Sequence, residues 1–258
     1  MKKISDAIVF LRRRGILTWV LLLLVWQVAS MFNSPDFLPG PVQTVIGGRE
    51  IVVNGLLFEY IGISFLRIIV GWLLGIVIAI PLGLLIGSFR GTSELLGPFI
   101  NFFRFVPAIG FLTLFLMWFG VGEESKIALI IYSTIFVVII NTIAGVGSID
   151  PIKLQAAASQ GASRFQIFYS VTIPASVPHM FTGVRLGFGG AIISIISAEM
   201  LAAQEGVGFL IYTSRLYYRT DWIFVGIIVL GLMGYLSDKL LRFTGRKLLR
   251  HYGLTEKN

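Results

Sequence analysis

Long apolar runs alternate with short polar ones along this chain, and six of the runs approach the length a bilayer demands. Crossing the hydrocarbon takes about 20 predominantly apolar residues. Residues 16–33, 64–88, 95–120, 127–147, 175–202 and 221–241 meet or nearly meet that requirement. The pattern predicts an all-α, polytopic membrane protein with about six transmembrane helices. The first run is short and must stand nearly upright or let its flanks reach outward. The third and fifth carry an arginine inside them, Arg104 and Arg185. Between the first two runs, residues 39–59 are of mixed polarity, interrupted by Arg49, Glu50, Asn54 and Glu59. That stretch reads as an interfacial helix rather than a span.

The longest polar interlude lies between Ile149 and Pro178, and spanning a membrane does not require it. Asp150-Pro151 is a helix start: a capping carboxylate, then the residue whose missing N–H costs nothing at the first helical position. Ala156 to Ala158 give the helix a small, flat face, and Gly161 can end it in a left-handed cap. Ser163-Arg164-Phe165-Gln166 has the form of a capping box opening a second helix, which Pro174 is expected to close. Two short helices outside the membrane, shaped to meet another protein, is one reading. An ordinary loop is the plainer one.

Composition supports the membrane setting: 56% hydrophobic and 13% charged residues, mean hydropathy +0.87, against roughly 45–50% and 25% in soluble domains. There is no cysteine, and His179 and His251 are too far apart to suggest a metal pair. The net charge of +8 is explained by the positive-inside bias without a nucleic-acid partner. With the N-terminus inside, fourteen Lys and Arg fall in cytoplasmic segments and four (Arg49, Lys126, Arg215, Arg219) in outer ones. Both termini and the interlude are therefore expected in the cytoplasm. The run from Ile16 to Phe32 leads into Asn33-Ser34-Pro35-Asp36 without a small-residue cleavage pattern, so it reads as a retained helix. No G-x-x-x-x-G-K-[ST] phosphate loop occurs, and ATP, if used, must be handled by another chain.

The interlude resembles the EAA-type coupling motif of ABC importer permeases, whose pattern falls on Gln155-Ala156-Ala157, Gly161 and Ile173-Pro174. From about Leu66 to Arg250 the chain is similar to the nitrate/sulfonate/taurine/bicarbonate branch of that family. Further matching stretches are Ile80-Pro81-Leu82-Gly83, Trp118 to Lys126, Ala144-Gly145-Val146, Thr182 to Gly187, Ala198-Glu199-Met200-Leu201 and Gly206 to Phe209. In two places the chain departs from the pattern. Gln155 stands where the motif has an acid, and Arg104-Phe105-Val106-Pro107 replaces Arg-Pro-x-Pro, which should soften a helix break.

The resemblance implies a type I importer permease subunit in the bacterial cytoplasmic membrane that does no chemistry itself. It implies two permease copies, an ATPase subunit carrying ATP and Mg, and an extracellular solute-binding protein that delivers the substrate. No cofactor is expected on this chain. The implied coupling residues are Gln155, Ala156, Ala157, Gly161, Ser163, Arg164 and Phe165. The implied organisation is an N-terminal region over 1–63, a permease core over 64–250 and a tail over 251–258.

Ionisable residues within spans are the pathway candidates, because a mid-membrane arginine costs roughly 2.5–3.5 kcal/mol unless it faces a cavity or a partner. Arg104 and Arg185 each lie roughly 14 Å into their runs. With Pro107 they would line a positive route suited to a small anion of the sulfonate, taurine or nitrate kind. Snorkelling or pairing with a carboxylate is the alternative for each. Glu199 lies about 21 Å along the helix from Arg185, out of its reach, and is assigned to the outer gate or a binding-protein contact. Arg67, near a span end, is expected to snorkel. An ion-driven secondary transporter is the other class to consider. It would usually show internal repeats or more buried carboxylates, and neither is apparent.

Overall fold

The computed structural model describes residues 16–252, and among them every regular element is helical. The helices are α1 (Ile16–Met31), α2 (Pro41–Val53), α3 (Leu56–Ser88), α4 (Arg90–Phe103), α5 (Ala108–Phe119) and α6 (Glu123–Gly147). They continue with α7 (Pro151–Ser159), α8 (Arg164–Ile167), α9 (Ile173–Ala202), α10 (Val207–Leu216) and α11 (Thr220–Leu248). A π turn over Phe168–Thr172 joins α8 to α9, and a 3₁₀ turn, Arg250–Tyr252, follows α11. Four helical stretches are long and apolar enough to cross a membrane: α3, α6, the α8–α9 rod and α11. The α4–α5 pair forms a broken fifth, and α1 is a shorter apolar sixth.

Helix α6 is the axis of the bundle, and small residues set how closely its neighbours approach it. On α3, a Cβ built on Gly71, Gly75, Gly83 or Gly87 would lie 2.6–2.9 Å from the Cβ of Ile130, Thr134, Thr142 or Val146 of α6 respectively. Both sets of numbers rise together by fours, so the two helices run parallel, in register along one seam of the 3.6-residue repeat. On the other side, Gly145 meets His179 and Ser176, Gly183 meets Asn141, and Gly187 meets Thr134 and Val138. There one set rises as the other falls, so α9 runs antiparallel to α6. Close packing of this kind, rather than hydrophobicity, holds helices together in lipid. Trp72, edge-on to Phe188 at 5.3 Å and donating to the Val184 carbonyl at 2.9 Å, ties α3 directly to α9.

The seam predicts a matched pair of outcomes. Gly83→Ala places a methyl 2.6 Å from Thr142 Cβ and 3.1 Å from the Ile139 carbonyl, so it should destabilise by about 1–3 kcal/mol. Gly97→Ala, where among the described residues nothing outside its own helix backbone and chain neighbours lies within 4 Å of the new methyl, should be neutral or gain up to about 1 kcal/mol of helix propensity. Thermal unfolding of the two variants in detergent checks this, and equal midpoints would contradict the seam.

Three elements differ from the hydropathy pattern. Helix α3 begins at Leu56, well before the apolar run at 64, and carries Glu59 in its first turn. The third run is two helices meeting at 97° across Arg104–Pro107; the break is present although only the last position of the motif is proline. Pro174 closes nothing. The chain passes through it as one rod of 39 residues, Arg164–Ala202, because the π turn just before it carries the width the ring needs. In that turn the Ile173 N–H reaches the Phe168 carbonyl, five residues back, and such bulges absorb a local mismatch without ending a helix.

At the bundle end away from α7, the interfacial reading of α2 fits: its 13 residues are too short to span. It packs on the start of α11, where Arg219 pairs with Glu50 at 2.6 Å and Asp221 at 2.9 Å. Hydrogen bonds that Arg219 donates to Asp221 and Glu50 hold its guanidinium above its ordinary pKa. Helix α1 has no buried residue and is pinned at its end by Trp26, which stacks on Phe224 at 5.2 Å and donates to the Pro39 carbonyl at 2.9 Å.

Candidate functional site

The interlude is built as its sequence predicts at both caps. Asp150 accepts from the Ile152 N–H at 2.9 Å. Gly161 has φ +83°, and its N–H reaches the Ala158 carbonyl while that of Ala162 reaches Ala157, a Schellman closure. The Ser163–Gln166 capping box is present in both directions, at 2.8 and 3.3 Å. Helix α7 has no buried residue: Gln155 and Ala156 are exposed, and Leu154 and Ala157 are half-buried. Next to it, Phe165 and Tyr169 stand exposed with their rings 4.7 Å apart, and Ile152 is 70% exposed. Helix α8 runs without a joint into α9, so this surface sits on the end of a rod that crosses the whole bundle.

The α4–α5 break opens a hollow of about 440 Å³ against the middle of α6, lined by Arg104, Phe105, Pro107, Tyr132 and Phe136 among others. Tyr132 holds the break in shape. Its hydroxyl donates to the Phe103 carbonyl at 2.8 Å, which also accepts from the Val106 N–H at 3.0 Å where α4 ends. Arg104 is exposed over the Phe105 ring at 4.5 Å, and among the described residues no carboxylate lies within ion-pair distance of it. Arg185 is placed elsewhere. It faces α11, where Asp238 accepts from it at 3.0 Å and from Arg242 at 2.8 Å. The two arginines are not brought to one place, and the charge of Arg185 has a carboxylate beside it.

The strongest charge cluster is one that the sequence did not assemble. Arg67, expected to snorkel, is buried. Its guanidinium makes a bidentate pair with Glu123 at 2.6 and 2.7 Å, bonds Glu199 at 2.9 Å and reaches Glu205 at 3.3 Å. Glu199 is fully enclosed, so it presents nothing to a contact surface. Its oxygens accept from Ser64, Arg67 and the Gly208 N–H, at 2.8 to 2.9 Å. Gly206 (φ +112°) and Gly208 allow the backbone to close over it, since a Cβ at either would lie 2.4 or 2.8 Å from Glu199 atoms. Lys126, assigned to an outer segment, is buried and bonds Glu123 at 2.9 Å. A buried carboxylate persists only when paired and hydrogen-bonded throughout, and this one is. The available signal was the proximity of Glu123 and Glu199 to the glycine-rich stretches at 120–122 and 206–208.

Residues 71–250 match the family described as the binding-protein-dependent transport system inner membrane component. The chain belongs to this family of ABC importer permeases. Within it, the chain is 34% identical over 241 residues to the taurine transport system permease protein TauC of Escherichia coli, covering 91% of this chain and 87% of that one. It is 34% identical over 239 residues to the putative aliphatic sulfonates transport permease protein SsuC of Bacillus subtilis, covering 92% and 87%. It is 30% identical over 231 residues to the nitrate import permease protein NrtB of a Synechocystis strain, covering 86% and 84%. Its fold is similar to a chain of the MetNI methionine ABC transporter in an inward-facing conformation, with TM-score 0.67 and 18% identity over 76% of this chain and 96% of that one. This permease therefore belongs to the taurine, sulfonate and nitrate branch and is a multi-pass inner-membrane transport subunit.

Proposed function

We propose that this permease forms the pathway of an ATP-driven importer for a small anionic solute of the sulfonate, taurine or nitrate kind. An extracellular binding protein delivers the solute, and a separate ATPase subunit, holding ATP and Mg, drives the cycle. The observation that carries the reading is α7 and its flank. It is a doubly capped helix with almost no burial, beside exposed Phe165 and Tyr169, on the end of an uninterrupted rod. A surface so exposed and so firmly connected is suited to receive a push from a partner and deliver it across the bundle. Gln155, Ala156, Ala157, Gly161, Ser163, Arg164 and Phe165 form the docking surface in this reading, with the α7 end and both termini in the cytoplasm. Two copies enclose the pathway, with Arg104 and Pro107 at the α4–α5 break facing it. The role of Arg185 is to brace α9 against α11.

Vesicles containing this chain alone, given a proton or sodium gradient, should show no uptake of taurine or nitrate above empty vesicles. Uptake should appear only with the ATPase subunit, the binding protein and ATP. Robust gradient-driven uptake by the lone chain would place it among secondary transporters.

A further inference from the structure

The hollow at the α4–α5 break has a chemistry more particular than that of a general anion route. We infer that it is a transit site for organic anions carrying a planar, aromatic body, with the anionic head at Arg104 and the ring against the wall formed by Phe103, Tyr132 and Phe136. The inference rests on the reading of this break as part of the translocation pathway and narrows the solute within it.

Five observations carry it. Among the arginines at Arg67, Arg104 and Arg185, only Arg104 is without a carboxylate at ion-pair distance among the described residues, since Arg67 has Glu123 and Glu199 and Arg185 has Asp238. A guanidinium at mid-bundle without a counter-ion is expensive and is placed to take its counter-charge from a passing solute in planar, bidentate fashion. The other side chains of the wall offer little to a bare inorganic anion. The Tyr132 hydroxyl already donates to Phe103 and the Ser133 hydroxyl to Ile130, leaving acceptors rather than donors, and Val137 and Ile140 complete an apolar lining. The aromatic wall is also backed by further rings. Phe103 lies against Phe136 at 6.4 Å with the ring planes 12° apart, and Tyr132 is backed by Phe111 at 4.5 Å and Phe115 at 6.4 Å. The volume of about 440 Å³ falls within the range that accepts drug-sized molecules, far more than a nitrate fills. The first turn of α5, at Pro107 and Ala108 on the same wall, adds the positive end of a helix dipole beside the head group.

The test is a ligand-observed NMR titration of the full chain in lipid nanodiscs with three probes: benzenesulfonate, methanesulfonate and benzyl alcohol. Benzenesulfonate should bind about tenfold or more tightly than either of the others, since one probe lacks the ring and the other the charge. Arg104→Gln should weaken benzenesulfonate about tenfold and leave benzyl alcohol unchanged, and Arg104→Lys should restore part of the loss. Phe136→Leu should bring the two sulfonates together. Thermal unfolding of each variant confirms that it is folded, and the lysine variant serves if glutamine does not fold. Equal affinity for the two sulfonates, with both lost in Arg104→Gln, overturns the aromatic preference and leaves the anion pathway standing. Sulfonate binding indifferent to Arg104→Gln in folded protein overturns the pathway reading itself. Benzyl alcohol binding as tightly as benzenesulfonate, or no binding of any probe up to about 10 mM, also overturns the inference.

Discussion

Gly161→Asp should give a permease that inserts and remains folded but fails to retain its ATPase, with ATP-driven uptake reduced at least about tenfold, a loss of 1.4 kcal/mol or more in coupling. The position separates two effects that are usually confounded. Its φ of +83° costs a non-glycine residue about 1–2 kcal/mol, too little to unfold a bundle held along two seams. Among the described residues, its chain neighbours aside, no atom lies within 4 Å of a Cβ placed there, so the new carboxylate points toward whatever docks against α7. Gly161→Asn is the control: asparagine tolerates the left-handed region, matches the bulk and lacks the charge, so it should retain more coupling. The measurements are co-purification with the ATPase and initial uptake per assembled complex. Normal values for both in Gly161→Asp would reduce the interlude to a loop.

The second large effect lies at the other end of the rod. Arg67→Met leaves Glu199 fully buried without its cation and breaks the bidentate pair with Glu123. Removing one partner of a buried ion pair costs about 3–5 kcal/mol, and most of the folded protein should be lost. The double variant Arg67→Met with Glu199→Gln should recover much of that loss. A neutral amide still accepts from Ser64 and from the Gly208 N–H through its oxygen and no longer needs a counter-charge. The coupling between the two substitutions should therefore be large and of opposite sign to simple addition. Yields of monodisperse protein and thermal midpoints for the singles and the double measure it. Additive losses would mean that the two residues do not act as a unit.

What could be read from the sequence divides along physical lines. The caps of α7 and α8 were legible because each is decided within four residues: Asp150 before Pro151, Gly161 in left-handed backbone, Ser163 facing Gln166. The spans were legible because lipid imposes one simple demand on a helix. The break at 104–107 was marked only by Pro107, since apolar residues continue on both sides of it. Pro174 misled, because the local rule that proline ends a helix gives way where a wider turn can absorb the ring. The Arg67 cluster was beyond reach for a different reason. It joins residues near 64, 123, 199 and 205, and no periodicity along the chain relates the four stretches. Once the α3–α6 and α6–α9 seams set the register, those positions arrive at one level, and the glycines at 206 and 208 make room for them.

The rod from Arg164 to Ala202 also restricts how the chain can change its length. Each residue of a helix advances the chain by 1.5 Å and turns it by about 100°. A single insertion or deletion between Ile173 and Glu199 would therefore rotate the docking end against the Glu199 end by more than a quarter turn, removing either the carboxylate from Arg67 or the Phe165 face from whatever meets it. Substitutions along the rod have local consequences, whereas changes of length put its two ends out of phase. The π turn already holds one surplus residue in a wider loop of backbone. It is the one place in the rod where a deletion could be taken up by tightening the turn, and the proline that follows it opposes that tightening.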